Sequence, residues 1–246
     1  MSIGLFRLAA VITALAILGG CSSVPKEYRD PRDPWQGYNR AMFKFNTDFD
    51  NAFFKPAAEA YRFITPEPVD RSVTNFFNNI ADVTSAVNNA LQFKLYRAGS
   101  DVSRVLVNTT VGVVGLIDVA SNMGLPSYKE DFGQTLGYWG IGPGPYFVMP
   151  ILGPSSVRDT FGFAGDVVID PFFSISKDKI YWGFIALRAI DERADLLAAG
   201  EILDEAAIDR YVFIRDAYLQ RRRSLVHDGS PPLEDSEDIF WDEEGP

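Results

Sequence analysis

One histidine and one cysteine set narrow limits on the chemistry this 246-residue chain can perform. The histidine, His227, sits at the edge of an acidic run, where a Ser-His-Asp relay would lack a pocketed base. Ser155-Ser156 follow Gly153-Pro154, and no G-x-S-x-G elbow is present. A single imidazole also excludes a His-rich metal site. Asp159, Asp166 and Asp170 recur closely enough that a carboxylate calcium site is conceivable, but helix capping and surface charge explain them better. The glycines from Gly137 to Gly144 follow aromatics and prolines instead of a strand, and no Lys-Ser/Thr pair closes a phosphate loop. The pattern points away from an enzyme and away from any cofactor or metal.

The cysteine carries a different chemistry. The opening MSIGLFRLAAVITALAILGGC places Arg7 before an apolar run from Leu8 to Leu18, the layout of a secretory signal peptide. It closes on Leu18-Gly19-Gly20-Cys21, which resembles a bacterial lipobox. Small residues let a peptidase grip extended backbone, and the Cys21 thiol receives a diacylglyceryl group. Residues 1–20 are thus expected to be a signal peptide and 21–32 a tether bearing an N-acyl diacylglycerol on Cys21. Ser22-Ser23 lacks the Asp of an inner-membrane retention signal, which points to the outer membrane and its periplasmic side. Each buried CH2 of such an anchor contributes about 0.8 kcal/mol.

The net charge is −10, yet eight acids and no Lys or Arg fall between His227 and Pro246. That segment, 227–246, reads as an acidic disordered tail, solvated by default. The body before it is near neutral and carries no basic footprint for nucleic acid.

Two stretches suit non-covalent work. In Phe132–Val157, 26 residues hold no charged side chain, and ten are Gly or Pro. No continuous helix fits such a composition. Irregular backbone at membrane depth survives only when buried in protein or lining a cavity. Tyr138, Trp139, Gly142, Pro143, Gly144, Pro145 and Tyr146 are therefore candidates for a gate or a channel wall, with a tightly packed scaffold loop as the alternative. In the second stretch Asn39, Arg40, Lys44 and Asn46 interleave with Met42, Phe43 and Phe45. Arg and Lys can receive a phosphate while the aromatics face acyl chains. The plainer reading is that Arg40 pairs with an acid such as Asp159 while Asn39 and Asn46 bond backbone.

Helices dominate the elements that would hold these residues. Asp33 reads as an N-cap for a helix from Pro34 to about Phe54, ending before Pro56. Trp35, Tyr38, Met42, Phe45, Phe49 and Phe53 form its apolar stripe, with Phe43 and Phe54 off it. Helices are expected over Val69–Asn79 and Ile80–Leu95, and from a cap at Ser100 or Asp101 to about Asn108. Val111–Ala120 reads as a buried turn and helix, too short to span a bilayer. Gly124–Asp131 reads as a loop, and a marginal hairpin is placed around Tyr146–Leu152. Ser155 or Ser156 caps a helix to about Val168. Lys179–Ala199, ended by Gly200, and Ile208–Arg223 complete the set.

A long ordered series of motifs resembles one family. The series is Asp33-Pro34 with Gly37-Tyr38-Asn39-Arg40 and Met42-Phe43-Lys44-Phe45-Asn46; Asn75-Phe76 with Asn78-Asn79; Arg104 with Asn108-Thr109, Gly112 and Gly115-Leu116-Ile117-Asp118-Val119-Ala120. It continues as Glu130-Asp131-Phe132-Gly133-Gln134-Thr135-Leu136-Gly137, Trp139-Gly140, Gly144-Pro145-Tyr146, Pro150, Gly153-Pro154-Ser155 and Arg158-Asp159. Over about Asp33 to Arg222 the chain resembles the MlaA/VacJ outer-membrane lipoproteins. The resemblance implies an all-α, ring-shaped helical domain over 33–226, with amphipathic helices in the membrane plane and a Gly/Pro-rich irregular segment. It implies an amphipathic channel for mislocalised outer-leaflet phospholipid. Its implied partners are phospholipid, a trimeric outer-membrane porin and a soluble periplasmic lipid carrier (MlaC-like). The competing class is a structural or adhesive envelope lipoprotein without a lipid channel.

Overall fold

Proline inside a helix clashes with the carbonyl four residues earlier, so Pro56 was expected to end the first helix. A computed structural model, which describes residues 30–172 and 179–232, shows how the chain passes it. Helix α1 (Gln36–Phe49) widens into a π turn (Asp50–Phe54) and continues as α2 (Lys55–Ile64), with Pro56 in its first turn. The wider turn makes room for the ring. Asp33 is not a cap: it is buried and accepts from the Asn39 amide at 2.7 Å and from the Tyr211 hydroxyl.

The rest is helical apart from one hairpin. Helix α3 (Glu67–Leu91) is continuous where two helices were expected, because neither asparagine pair breaks it. Asn79, Asn88 and Asn89 instead bond across to Thr109, Asp166 and Asp101. Helix α4 (Leu95–Thr110) starts earlier than a cap at Ser100 or Asp101 would allow; both lie on its buried face. A turn leads to α5 (Val119–Asn122), capped by Asp118. The loop before Asp131 is as expected, and Asp131 caps α6 (Phe132–Tyr138). Strands β1 (Tyr146–Met149) and β2 (Gly153–Ser156) pair antiparallel, Tyr146 opposite Ser156 and Met149 opposite Gly153. Pro150 falls in their turn, where no ladder bond is lost. Ser156 caps α7 (Val157–Ile169) by accepting from Asp159 N at 3.1 Å. Gly200 does not stop the chain: α8 (Lys179–Asp195) gives way at Leu196 to α9 (Leu197–Ala206). Helix α10 (Arg210–Val226) follows an Asp209 cap.

Helix α3 packs on α4, α7 on α6, α8 on α2 and α3, and α10 on α6 and β2. The α6–α7 approach depends on two glycines. A Cβ on Gly162 would lie 2.4 Å from Gly133 N, so only bare backbone fits there. Apolar core is sparse. One cluster joins Ala58, Ala194 and Leu197; another joins Tyr146, Val148 and Tyr211. No described helix is long and apolar enough to cross a membrane. The segments expected to be signal peptide, Cys21 with most of the tether, and the acidic tail beyond Pro232 lie outside the described residues. The packed body reaches past Val226, since Asp228 pairs with Lys94 at 2.6 Å and with Arg97.

Candidate functional site

Helix α4 shows how this fold distributes polarity. Ala98, Asp101, Arg104 and Asn108 face inward, while Leu95, Val102 and Leu106 face out. The helix is amphipathic, but its polar face is the buried one. Arg104 is 4% exposed, and all five of its N–H donors are used. They reach Asp82 at 3.0 Å, Ser121 at 3.0 Å, the Leu125 carbonyl at 2.8 Å, and both Asp118 oxygens at 3.3 and 3.2 Å. Asp82 also takes Lys129 at 2.7 Å and Ser127 at 3.0 Å.

The same inversion holds elsewhere. Among the described residues twenty-one polar or charged side chains are buried against ten hydrophobic ones, while thirty-one large hydrophobics are exposed. A scattered exposed Leu means little, but a buried polar majority does not occur in an ordinary core. The turn after α4 was expected to be buried. It exposes Val111, Val113, Val114, Leu116 and Ile117, with Val113, Val114 and Gly115 all at positive φ. Gly115 is required there, because a Cβ would meet Asn79 at 2.8 Å.

The polar interior opens into a cavity of about 540 Å³. Its walls come from α3 (Ala81, Thr84, Ser85), the loop at Lys129–Asp131, Gln134 of α6, α7 and its end (Phe163, Asp166, Val167, Asp170), Arg188 of α8 and α10 (Tyr218, Arg221, Arg222, Leu225). Among the described residues the charged lining comprises four cations and four carboxylates. Arg222 anchors one side, bonding Asp131 at 2.8 Å and Asp159 at 3.0 Å. Burial pushes Asp131 and Asp159 up, but Arg222, with Gln134 on the first and Tyr218 and Arg158 on the second, holds both below the usual carboxylate range. Asp166 is pushed up to about 6, by burial first and then by Asp131. It accepts the Phe132 N–H at 2.9 Å and the Asn88 amide at 3.1 Å. The cavity thus presents fixed charges of both signs beside Phe163, Val167 and Leu225, the lining an amphiphile needs.

The residues singled out from sequence lie elsewhere. Asn39 acts as a surrogate strand residue along the free edge of β1, and Asn46 holds the turn that follows it. Asn39 accepts from Val148 N at 2.9 Å and donates to the Tyr146 carbonyl at 3.1 Å. Asn46 donates to the Met149 carbonyl at 2.8 Å and accepts from Ile151 N at 2.7 Å. Arg40 pairs with Asp209 at 2.8 Å, not with Asp159, and lies over the Tyr211 ring at 4.5 Å. Phe43, off the expected stripe, packs on Tyr211, whereas Phe45 and Phe53 of that stripe are exposed. Lys44 makes only an exposed pair with Asp48. Tyr146 is fully buried against Tyr211 and Tyr218. Tyr138 and Trp139 are half exposed, Trp139 donating to the Leu91 carbonyl at 3.2 Å. Gly142, Pro143 and Gly144 are exposed and Pro145 is partly so. None of these residues lines the cavity.

Of the cavity residues, sequence reading reached Asp166 and Asp170 only as calcium candidates and Glu130, Asp131 and Gln134 only within the motif series; it assigned no role in a site to Thr84, Ser85, Arg188 or Arg221. Asp166 and Asp170 share the cavity lining without Asp159, and among the described residues no three His, Cys, Asp or Glu side chains are grouped to hold a metal. The Ser155 hydroxyl is buried against Thr160 at 3.0 Å, and His227 Nδ1 sits 2.9 Å from the Arg223 carbonyl.

Comparison with known proteins follows this geometry. The family model described as MlaA lipoprotein matches residues 31–225. A protein of Escherichia coli (strain K12) named intermembrane phospholipid transport system lipoprotein MlaA is 33% identical over 228 residues, covering 91% of this chain and 90% of that one. An uncharacterised protein of Rickettsia felis is 35% identical over 195 residues, 79% of this chain and 78% of its own. A solved structure, from work on the structural basis for maintenance of bacterial outer membrane lipid asymmetry, superposes with a TM-score of 0.71 at 34% identity. It covers 80% of this chain and 100% of its own.

Proposed function

Because the chain belongs to the MlaA lipoprotein family, we propose that it moves phospholipid between membranes without covalent chemistry. The observation that carries this reading is the inverted polarity: a buried polar majority beside an open charged cavity, with many large hydrophobic side chains exposed. Moving a charged headgroup through bare hydrocarbon is prohibitive. A polar interior removes that cost while the acyl chains stay against the exposed face. The name of the Escherichia coli relative supports the phospholipid reading.

In its finer form the proposal places a ring-shaped domain in the inner leaflet of the outer membrane, anchored by acyl chains on Cys21. Mislocalised outer-leaflet phospholipid enters the amphipathic interior and passes to a soluble periplasmic carrier, with a trimeric porin as the membrane partner. Arg40, Lys44, Phe45, Tyr138 and Trp139 are proposed as rim contacts on the way, with the Gly142–Pro145 segment flanking them. The driving force is the lipid's own transfer free energy and its capture by the carrier.

Surface-exposed phospholipid in a strain lacking the protein is the direct test. It is expected to rise, and to return to normal with the wild-type chain. Ala81→Trp, which fills the cavity, is expected not to restore it. Full restoration by a folded Ala81→Trp protein refutes passage through this cavity. Cys21→Ala is expected to release the protein from the membrane fraction.

A further inference from the structure

Half of the charged groups in the cavity are answered within the fold. Arg222 is committed to Asp131 and Asp159, Lys129 to Asp82, and Glu130 to Lys94. The other half are not. Arg221 makes no hydrogen bond or ion pair among the described residues, and Arg188 makes only an exposed pair with Glu192 on its own helix. Asp166 accepts the Phe132 N–H and the Asn88 amide, Asp170 accepts the Phe172 N–H, and neither forms an ion pair among the described residues. Two cations on α8 and α10 therefore share one cavity with two carboxylates at the end of α7, and each lacks a strong partner of opposite charge.

We propose that this cavity selects a zwitterionic headgroup with a phosphate and a primary ammonium, as in phosphatidylethanolamine. The phosphate goes to Arg188 and Arg221, where a guanidinium offers two parallel donors. The ammonium goes to Asp166 and Asp170, which accept its N–H groups. The inference rests on the phospholipid reading above. A purely anionic headgroup meets both carboxylates with no cation to satisfy them, which is repulsive. A quaternary ammonium has no N–H to donate and binds best in an aromatic cage. Among the described residues Phe163 and Tyr218 are the only aromatics in the lining, beside eight charged groups. The cavity, about 540 Å³, is in the ordinary size range for a small ligand. It holds a headgroup and leaves the acyl chains outside, against the exposed apolar face.

The test uses the full lipidated chain in detergent micelles, titrated with dihexanoyl phosphatidylethanolamine, phosphatidylglycerol and phosphatidylcholine and read by calorimetry. The ethanolamine lipid is expected to bind tightest. Arg221→Gln is expected to weaken all three by about tenfold, because it removes the phosphate contact they share. Asp170→Asn is expected to weaken only the ethanolamine lipid, again about tenfold. Asp166→Asn is the second carboxylate variant, and unchanged unfolding midpoints show that each variant folds. Equal affinity for the three lipids, or a Asp170→Asn loss shared equally by all three, overturns headgroup selection and leaves phospholipid passage standing. No binding of any lipid overturns both. Glycerophosphoethanolamine is the soluble arm; affinity equal to that of the dihexanoyl lipid assigns the site to a free phosphoethanolamine and overturns the lipid assignment.

Discussion

Replacing Arg104 with Met tests whether the buried polar seam, not apolar burial, holds α3 and α4 together. Methionine fills similar space but returns none of the five hydrogen bonds. Asp82, fully buried, then keeps only Ser127 and Lys129, and Asp118 keeps Asn108 and Ser121. Breaking a buried ion pair from one side costs about 3–5 kcal/mol; here Asp82 loses its buried guanidinium and keeps only the half-exposed Lys129 as a cation, while Asp118 keeps none. For a domain of this size each kcal/mol moves Tm by roughly 2–4 °C, so a fall of roughly 6–20 °C is expected. The assay is thermal and urea unfolding of the lipidated chain in detergent, followed by circular dichroism. Arg104→Met with Asp82→Asn is expected to recover part of the loss, since the second change removes the stranded charge. Arg221→Gln, on an exposed side chain without a partner, is the control, expected within about 0.5 kcal/mol of wild type. A loss below about 1 kcal/mol for Arg104→Met refutes the argument.

Gly162→Ala pushes a Cβ to 2.4 Å from Gly133 N, so α6 and α7 must separate at a cost of about 1–3 kcal/mol; an unchanged unfolding midpoint contradicts the close approach. Asp101 and Asp166 both rise from 3.8 to about 6, chiefly through burial, with Asp82 adding to the first and Asp131 to the second. The fold holds their protons more tightly than the unfolded chain does, so their contribution is full below pH 3.8 and is lost as pH rises through about 6. Asp30 and Asp118, lowered to about 2, act oppositely: their contribution is present above 3.8 and lost as pH falls toward 2. Asp166→Asn is therefore expected to lose less stability than wild type between pH 4 and 7, and parallel urea midpoints contradict this. Leu106→Asp, at a side chain exposed on α4, is expected to weaken vesicle binding by about 3–4 kcal/mol if that face lies at hydrocarbon depth. Undiminished flotation with vesicles removes that face from the membrane.

The element types were largely legible, and their environments were not. On α1 the aromatic period is correct, yet Phe45 and Phe53 point outward while Asn39 is fully buried. Periodicity reports that two faces of a helix differ; it does not say which of them meets solvent, lipid or core. Asn39 and Asn46 stand seven residues apart, two turns on one face, so a shared role was readable but the strand they grip was not. Asp33 has the residue type of a cap, but a buried Tyr211 and Arg215 from the far end of the chain claim it. Pro56 was read as a stop because a π turn leaves no local mark in sequence. The cavity drew least notice because Thr84, Glu130, Asp166, Arg188 and Arg221 come from five separate segments. Their meeting is a product of tertiary packing, and the motif series, though it contains Glu130, pointed to the family and not to the cavity.

The buried polar majority also has a consequence for how stability varies with temperature. Unfolding raises heat capacity when it exposes apolar surface and lowers it when it exposes polar surface. Here unfolding releases Asp82, Asp101, Arg104, Asn88, Asn89 and their neighbours to water, and much of the large apolar surface is already outside. The heat-capacity increment per residue therefore falls below the ordinary value of about 12–15 cal/mol/K. A small increment flattens the stability curve, so the domain keeps nearly the same margin across cold and warm conditions and resists cold denaturation.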